Sequence, residues 1–359
     1  MFSQIYTRLD RYIAQHVVMA SLLILFLLIA LRAMFALLEE SNSIGRGNYE
    51  LADAVLYVGL MLPQKVLELF PMGVLIGSLF GLGVMASSNE LTVMRASGMT
   101  TWRIAGSTLK ASLVLMAWVF FLSEVIAPAA SKSAHQLKTA ALSSGKITSS
   151  SSGLWAKNNQ QIIQISSLLS NGDLHDLYFY DLDKNFHLTK LTYAKSAKKV
   201  NNTWVLFNVN ETSFLSDKIE QKFIERETWI NPLDAGNIET LTLKPETLNL
   251  RGLVNYQDYL NKNQLDSGEV TLAFWEKVML PVSIAIMMLL AASFVFGPMR
   301  DVSMGARILT GVMLGFAFHL AKQTFGPVSL LYGVSPFLGA LTPLVVFAAL
   351  AFHLMRKSS

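Results

Sequence analysis

The sequence predicts an α-helical polytopic membrane protein with six transmembrane helices and an inserted all-β, jelly-roll-like domain. Three observations carry this. Hydrophobic residues fill 52% of the 359 positions and charged residues only 15%, where soluble domains carry about a quarter charged. Six apolar stretches come near or exceed the roughly 20 residues that cross a bilayer, close to residues 12–38, 54–86, 104–127, 271–296, 306–325 and 331–354. Between the third and fourth, the periodicity changes to strand-like alternation. The chain therefore divides into residues 1–127, 128–268 and 269–359.

The first apolar run competes with a cleavable signal peptide. It has no charge between Arg11 and Arg32, is far longer than a typical signal core, and lacks a small-x-small cleavage site before polar sequence. We read it as a retained helix. Orientation follows from the accumulation of Lys and Arg on the cytoplasmic side. With the N-terminus inside, the inner segments hold Arg8, Arg11, Arg95, Arg103, Arg300, Arg356 and Lys357, while the outer loops 39–53 and 326–330 hold only Arg46. Both termini are then cytoplasmic, and the insertion faces the periplasm of a two-membrane host.

The second run, 54–86, carries Gly73, Gly77 and Gly81 at four-residue spacing. Such a ridge lets another helix approach closely. Gly311 and Gly315 repeat the spacing on the fifth helix, as internal packing or as a moving interface.

Between the second and third runs lies SSNELTVMRASGMT (87–100), too short to cross anything. Ser87 with Glu90 three positions later forms a capping-box pattern, Leu91 and Met94 share a face, and Gly98 stands where a helix stops. The expected element is a short cytoplasmic helix presenting Glu90, Leu91, Met94 and Arg95. It suits either the headgroup layer or a groove on a soluble partner.

The insertion alternates in QQIIQIS (160–166), LHDLYFYDLD (174–183), HLTKLTYAKSAKKV (187–200), NTWVLFNVN (202–210), KFIERETWI (222–230) and IETLTLKPETL (238–248). Turn signals separate these stretches, as expected of an antiparallel all-β domain. SSGKITSSSSG (143–153) reads as the linker into it and NKNQLDSGE (261–269) as the linker out.

Several chemistries are excluded. There is no cysteine, so thiolate catalysis and Cys-ligated zinc are absent. No G-x-x-x-x-G-K-[ST] loop is present to cradle ATP, and no G-x-S-x-G elbow is present for a hydrolase. His319 and His353 lack a nearby acidic ligand set. The net charge of +4 is scattered, without the basic, aromatic-interleaved stripe of a nucleic-acid binder. The chain reads as a non-catalytic protein with no cofactor of its own.

LDRYI (9–13), LFPMGVLIGSLFGLG (69–83), NELTVMRASG (89–98), LWAK (154–157), GPMRDVSMGARILTG (297–311) and FGPVSLLYGVSP (325–336) together resemble the LptF/LptG family of lipopolysaccharide export permeases. The LDRYI start and the ASG ending of the short helix are more similar to its LptG branch. The resemblance implies a heterodimer with an LptF subunit and a dimer of the ATPase LptB, which binds ATP and Mg. It also implies transfer of lipopolysaccharide to the jelly roll of LptC. It makes 87–98 the coupling helix and places the first and fifth helices at the gate.

Cations near the outer interface fit a phosphorylated glycolipid. Arg32, Lys65, His135, Lys138 and Lys322 lie on the side that Lys and Arg disfavour, where ionisable residues are functional candidates. We expect a cationic collar for lipid A phosphates. Two structural readings stand beside it: Arg32 snorkelling and an internal Lys65–Glu68 pair at i,i+3. Phe26, Phe70, Phe318 and Phe325 are candidates for an acyl-chain cavity or ordinary core and lipid-facing positions. The competing function is a membrane insertase or assembly scaffold with a periplasmic β domain.

Overall fold

The computed structural model describes residues 8–142, 149–158, 160–168, 173–183, 187–200, 203–214, 218–229, 244–297 and 302–358. Arg300, counted above among the inner cations, and the first half of the serine-rich stretch lie outside these residues.

The helices are α1 (Arg8–Ser41), α2 (Leu51–Ser87), α3 (Glu90–Ala96), α4 (Thr101–Phe121), α5 (Ala127–Leu142), α6 (Leu250–Lys262), α7 (Gly268–Phe296), α8 (Met304–Leu331) and α9 (Pro336–Ser358). A π-helical turn at Leu122–Ile126 joins α4 to α5 without a break. Among the described residues, six helical stretches are long and apolar enough to cross a membrane. The α4–α5 stretch of 42 residues corresponds to about 63 Å of helix at 1.5 Å per residue, roughly twice a hydrocarbon core.

The described residues divide into two compact units. The first comprises residues 1–36, 61–130 and 268–359, and its core draws on Ile13, Val17, Leu79, Ile104, Leu115, Ile284, Met287, Phe318 and Ala351. The glycines set its closest approaches. A Cβ on Gly77 would strike the backbone of Ser21 in α1, and Gly73 and Gly81 lie against Leu25 and Val17 of the same helix. Without side chains in the way, α1 and α2 pack backbone to backbone, as small-residue ridges permit in lipid. Gly311 and Gly315 also face inward, against Leu79, Ile76 and Met72 of α2. In this arrangement the pair serves internal packing between α8 and α2.

The second unit comprises residues 37–60 and 131–267. Its six strands are β1 (Ser149–Asn158), β2 (Gln161–Leu168), β3 (Leu174–Leu182), β4 (Leu188–Val200), β5 (Thr203–Phe214) and β6 (Ile219–Thr228). They form one antiparallel sheet in sequential order. Register places Ile163, Phe179 and Thr192 in one row and Gln164, Tyr178 and Tyr193 in the next. The first row is buried and the second partly exposed, the alternation expected of a sheet with one covered face.

Two boundaries differ from expectation. The stretch read as a linker supplies β1, which pairs with β2; an edge strand is held by backbone bonds and needs no side-chain alternation. Conversely, 238–248 is not a full strand. Residues 238–243 lie outside the described set, and Pro245–Thr247 forms a 3-10 turn, because proline cannot donate to a ladder but suits a helical first turn. Helix α6 was not anticipated. Its signals were present: Asn249 caps it by accepting from the Gly252 amide, and Leu253, Tyr256 and Leu260 follow at helical spacing. Its Tyr259 hydroxyl accepts from the Lys157 amide and donates to the Lys157 carbonyl, closing polar groups on β1.

Within the sheet, the Tyr193 hydroxyl donates to Asp176 at 2.6 Å. That bond, with burial and the nearby negative charge, pushes the Tyr193 pKa up to about 12. A tyrosine in the unfolded chain titrates near 10. The bond's contribution is therefore complete below about pH 10 and is lost as pH rises through the folded value. Thermal denaturation of the β unit should show this loss, and Tyr193→Phe should remove it.

Candidate functional site

One end of the first unit is built around α3. Gly98, at φ +93°, ends the helix as expected, with the Met99 amide returning to the Met94 carbonyl, a bond pattern that favours glycine in the left-handed region. The start differs. Ser87 completes α2, and its hydroxyl donates to the Val84 carbonyl, so it is unavailable for a capping box. Asn89 precedes the helix at φ 62° with no side-chain cap, and Ser88 Oγ donates to Glu90 Oε1 at 3.0 Å. The Tyr12 hydroxyl also approaches the Glu90 carboxylate.

Burial corrects the presented face. Leu91 and Met94 are 3% and 8% exposed and belong to the chain's own core. The i,i+3 spacing identified an apolar ridge but not which way it points, and here it turns inward. Thr92, Val93 and Ala96 face outward, and Val93 is 66% exposed. Glu90 and Arg95 are half-buried at the helix flanks.

Around this helix the neighbouring helix ends are braced. Asp10 of α1, 3% exposed, accepts from Ser107 Oγ at 2.7 Å and from Lys110 Nζ at 2.9 Å, both on α4. Arg307 of α8, 4% exposed, donates to the Gly83 carbonyl at 2.8 Å, tying α8 to the end of α2. Neither brace was singled out from the sequence, since each depends on contacts across long separations. A buried charge held by such bonds resists displacement, because breaking it leaves an uncompensated group in the interior. The helix ends should thus move together.

The other cluster in this unit joins α1, α2, α7 and α8. Lys65 Nζ donates to Glu68 Oε2 at 2.8 Å, His319 Nε2 lies 4.0 Å from Glu68 Oε1, and Arg32 is electrostatically coupled to the same carboxylate. Lys322 pairs with Glu276 at 3.1 Å. Glu68, Glu276, His319 and Lys322 line a cavity whose remaining wall includes Leu67, Met72, Met279, Phe318 and Leu344. Charged groups and hydrocarbon side chains thus line one small cavity together. Lys277, 10% exposed, pairs with Glu124 of the π-helical turn at 3.5 Å, linking α7 to the α4–α5 rod.

Of the predicted lipid residues, the structure brings Arg32, Lys65, Lys322 and Phe318 to this cluster. Phe70 does not line the cavity; it is 1% exposed and packs on Trp118 at 5.7 Å. Phe26 and Phe325 are exposed and lie outside the cavity lining, as the alternative of ordinary lipid-facing positions has it, while Phe318 lines the cavity and stands edge-on to Phe347. His135 and Lys138 belong to the second unit. There the Lys138 ammonium meets Glu40 at 2.5 Å and lies 4.7 Å from the Tyr57 ring centre, while His135 lies edge-on to Tyr57 and bonds the Ser131 carbonyl. Glu40 itself is 8% exposed, and Tyr49 beside it has its pKa raised by burial and by that carboxylate.

The model of the family described as lipopolysaccharide export system permease LptF/LptG matches residues 11–357. The lipopolysaccharide export system permease protein LptG of Escherichia coli strain K12 is 34% identical over 354 residues, covering 98% of each chain. Its namesake from Haemophilus influenzae strain ATCC 51907 is 33% identical over 351 residues, covering 97% of this chain and 98% of the relative. The chain belongs to the LptF/LptG family of lipopolysaccharide export system permeases.

Proposed function

We propose that the chain takes lipopolysaccharide from the outer leaflet of the bacterial inner membrane and passes it to a periplasmic β-jelly-roll bridge, driven by an ATPase at its cytoplasmic face. In this reading it pairs with an LptF subunit, rests on an LptB dimer that binds ATP and Mg, and hands lipid to LptC. Both termini are cytoplasmic and the β insertion, within residues 128–268, is periplasmic. The segments 1–127 and 269–359 together form its membrane half.

The observation that carries this reading is the divided face of α3. Leu91 and Met94 lock it into the core while Val93 and its neighbours stay exposed, so a body pressing on the outer face moves the helix ends with it. Support also comes from the cluster in which Lys322 and His319 stand beside apolar side chains in one small cavity. Transport then requires only that the two conformations differ in affinity for the lipid.

Co-purification tests the reading directly. The chain should bring down an ATPase whose hydrolysis rises with lipopolysaccharide, whereas an insertase would carry no such partner. Arg32→Glu should weaken photo-crosslinking to lipopolysaccharide several-fold without loss of assembly. Unchanged crosslinking would remove Arg32 from the lipid site.

A further inference from the structure

The cavity cluster contains groups that a simple phosphate receptor does not need. Glu68 and Glu276 both line the cavity, and each repels an incoming phosphate. Both carboxylates also hold a lysine predicted to bind lipid: Lys65 at 2.8 Å and Lys322 at 3.1 Å.

We infer that Glu68 and Glu276 are resident counter-ions that retake Lys65 and Lys322 when the lipid leaves, making release an exchange of anions rather than the baring of two cations. This rests on the proposed lipid-binding role of those lysines. Both pairs are partly shielded from water, so leaving either cation without a partner carries a modest cost. A receptor with unpaired cations would therefore hold a polyanionic lipid against the push meant to expel it. Swapping phosphate for carboxylate keeps every cation paired in both states.

The two pairs divide the task by position. Lys65 and Glu68 sit three residues apart on α2, so their pairing travels with the helix and survives any motion of it. Lys322 on α8 and Glu276 on α7 belong to different helices, so their separation changes whenever α8 slides. Glu68 is also the hub, with His319 at 4.0 Å and Arg32 coupled to it. Partly exposed pairs are individually weak, which suits an exchange that must run in both directions.

The test uses the assembled complex in nanodiscs loaded with hexa-acylated lipopolysaccharide, with the lipid remaining after ATP addition measured by mass spectrometry. Glu68→Gln with Glu276→Gln preserves shape and hydrogen bonding while removing both charges. It should raise the retained lipid about five-fold, the ratio set by roughly 1 kcal/mol of lost competition, and the excess should shrink as salt is added. If the double variant fails to assemble, Glu276→Gln alone should give part of the increase. Retention equal to wild type, with Lys65→Gln and Lys322→Gln still lowering the initial load, overturns the counter-ion role alone. An unchanged initial load in the lysine variants overturns the lipid role beneath it.

Discussion

Gly77→Leu is expected to abolish stable folding of the membrane unit. A Cβ at that position meets the Ser21 backbone rather than the end of a flexible side chain, so α1 must move away from α2 along its length. Overpacking in a close-packed interior costs about 1–3 kcal/mol when side chains give way, and here they have no room to give. Detergent-solubilised protein should show a large fall in thermal unfolding temperature or fail to purify. Gly106→Leu, with nothing within 4 Å of its added Cβ, should leave stability near wild type. Equal stability of the two variants would show that the α1–α2 contact is not as close as the structure places it.

Val93→Asp should uncouple the protein while leaving it folded. The side chain is exposed, so a carboxylate there remains hydrated and costs the fold little. On an interface it would leave an unpaired charge facing the partner, and the stimulated ATP hydrolysis should fall by about ten-fold, the equivalent of roughly 1.4 kcal/mol. Leu91→Asp, two residues away, should instead unfold the end of the unit around α3, because its site is closed to water and burying a carboxylate there is far more costly. The pair separates a docking face from an anchoring face by two measurements, melting temperature and hydrolysis rate. Glu90→Ala should lie between them, since its carboxylate receives the Ser88 hydroxyl and also borders the exposed face.

The spans were legible because their hydrophobicity is local and long. The strands β2 to β6 were legible for the same reason, since period-two alternation survives in each segment. What escaped was set by partners distant in sequence. The edge strand at Ser149–Asn158 is defined by β2, and the inward turn of Leu91 and Met94 is decided by the helices behind them. Asp10 reads as an ordinary first-turn acid until Ser107 and Lys110 are placed beside it. Lys65 and Glu68 were close enough in sequence for their pairing to be weighed in advance. Lys322 and Glu276, 46 residues apart by number, were not, and only the structure assembles them beside Glu68 around one cavity.

The measurement that bears most directly on the account is lipopolysaccharide release from the reconstituted complex, followed with and without ATP for wild type and for Val93→Asp. The account predicts release only when nucleotide, the co-purifying ATPase and the native α3 face are all present, with Val93→Asp retaining its lipid load. Release that proceeds without the ATPase, or at the wild-type rate in Val93→Asp, would contradict it.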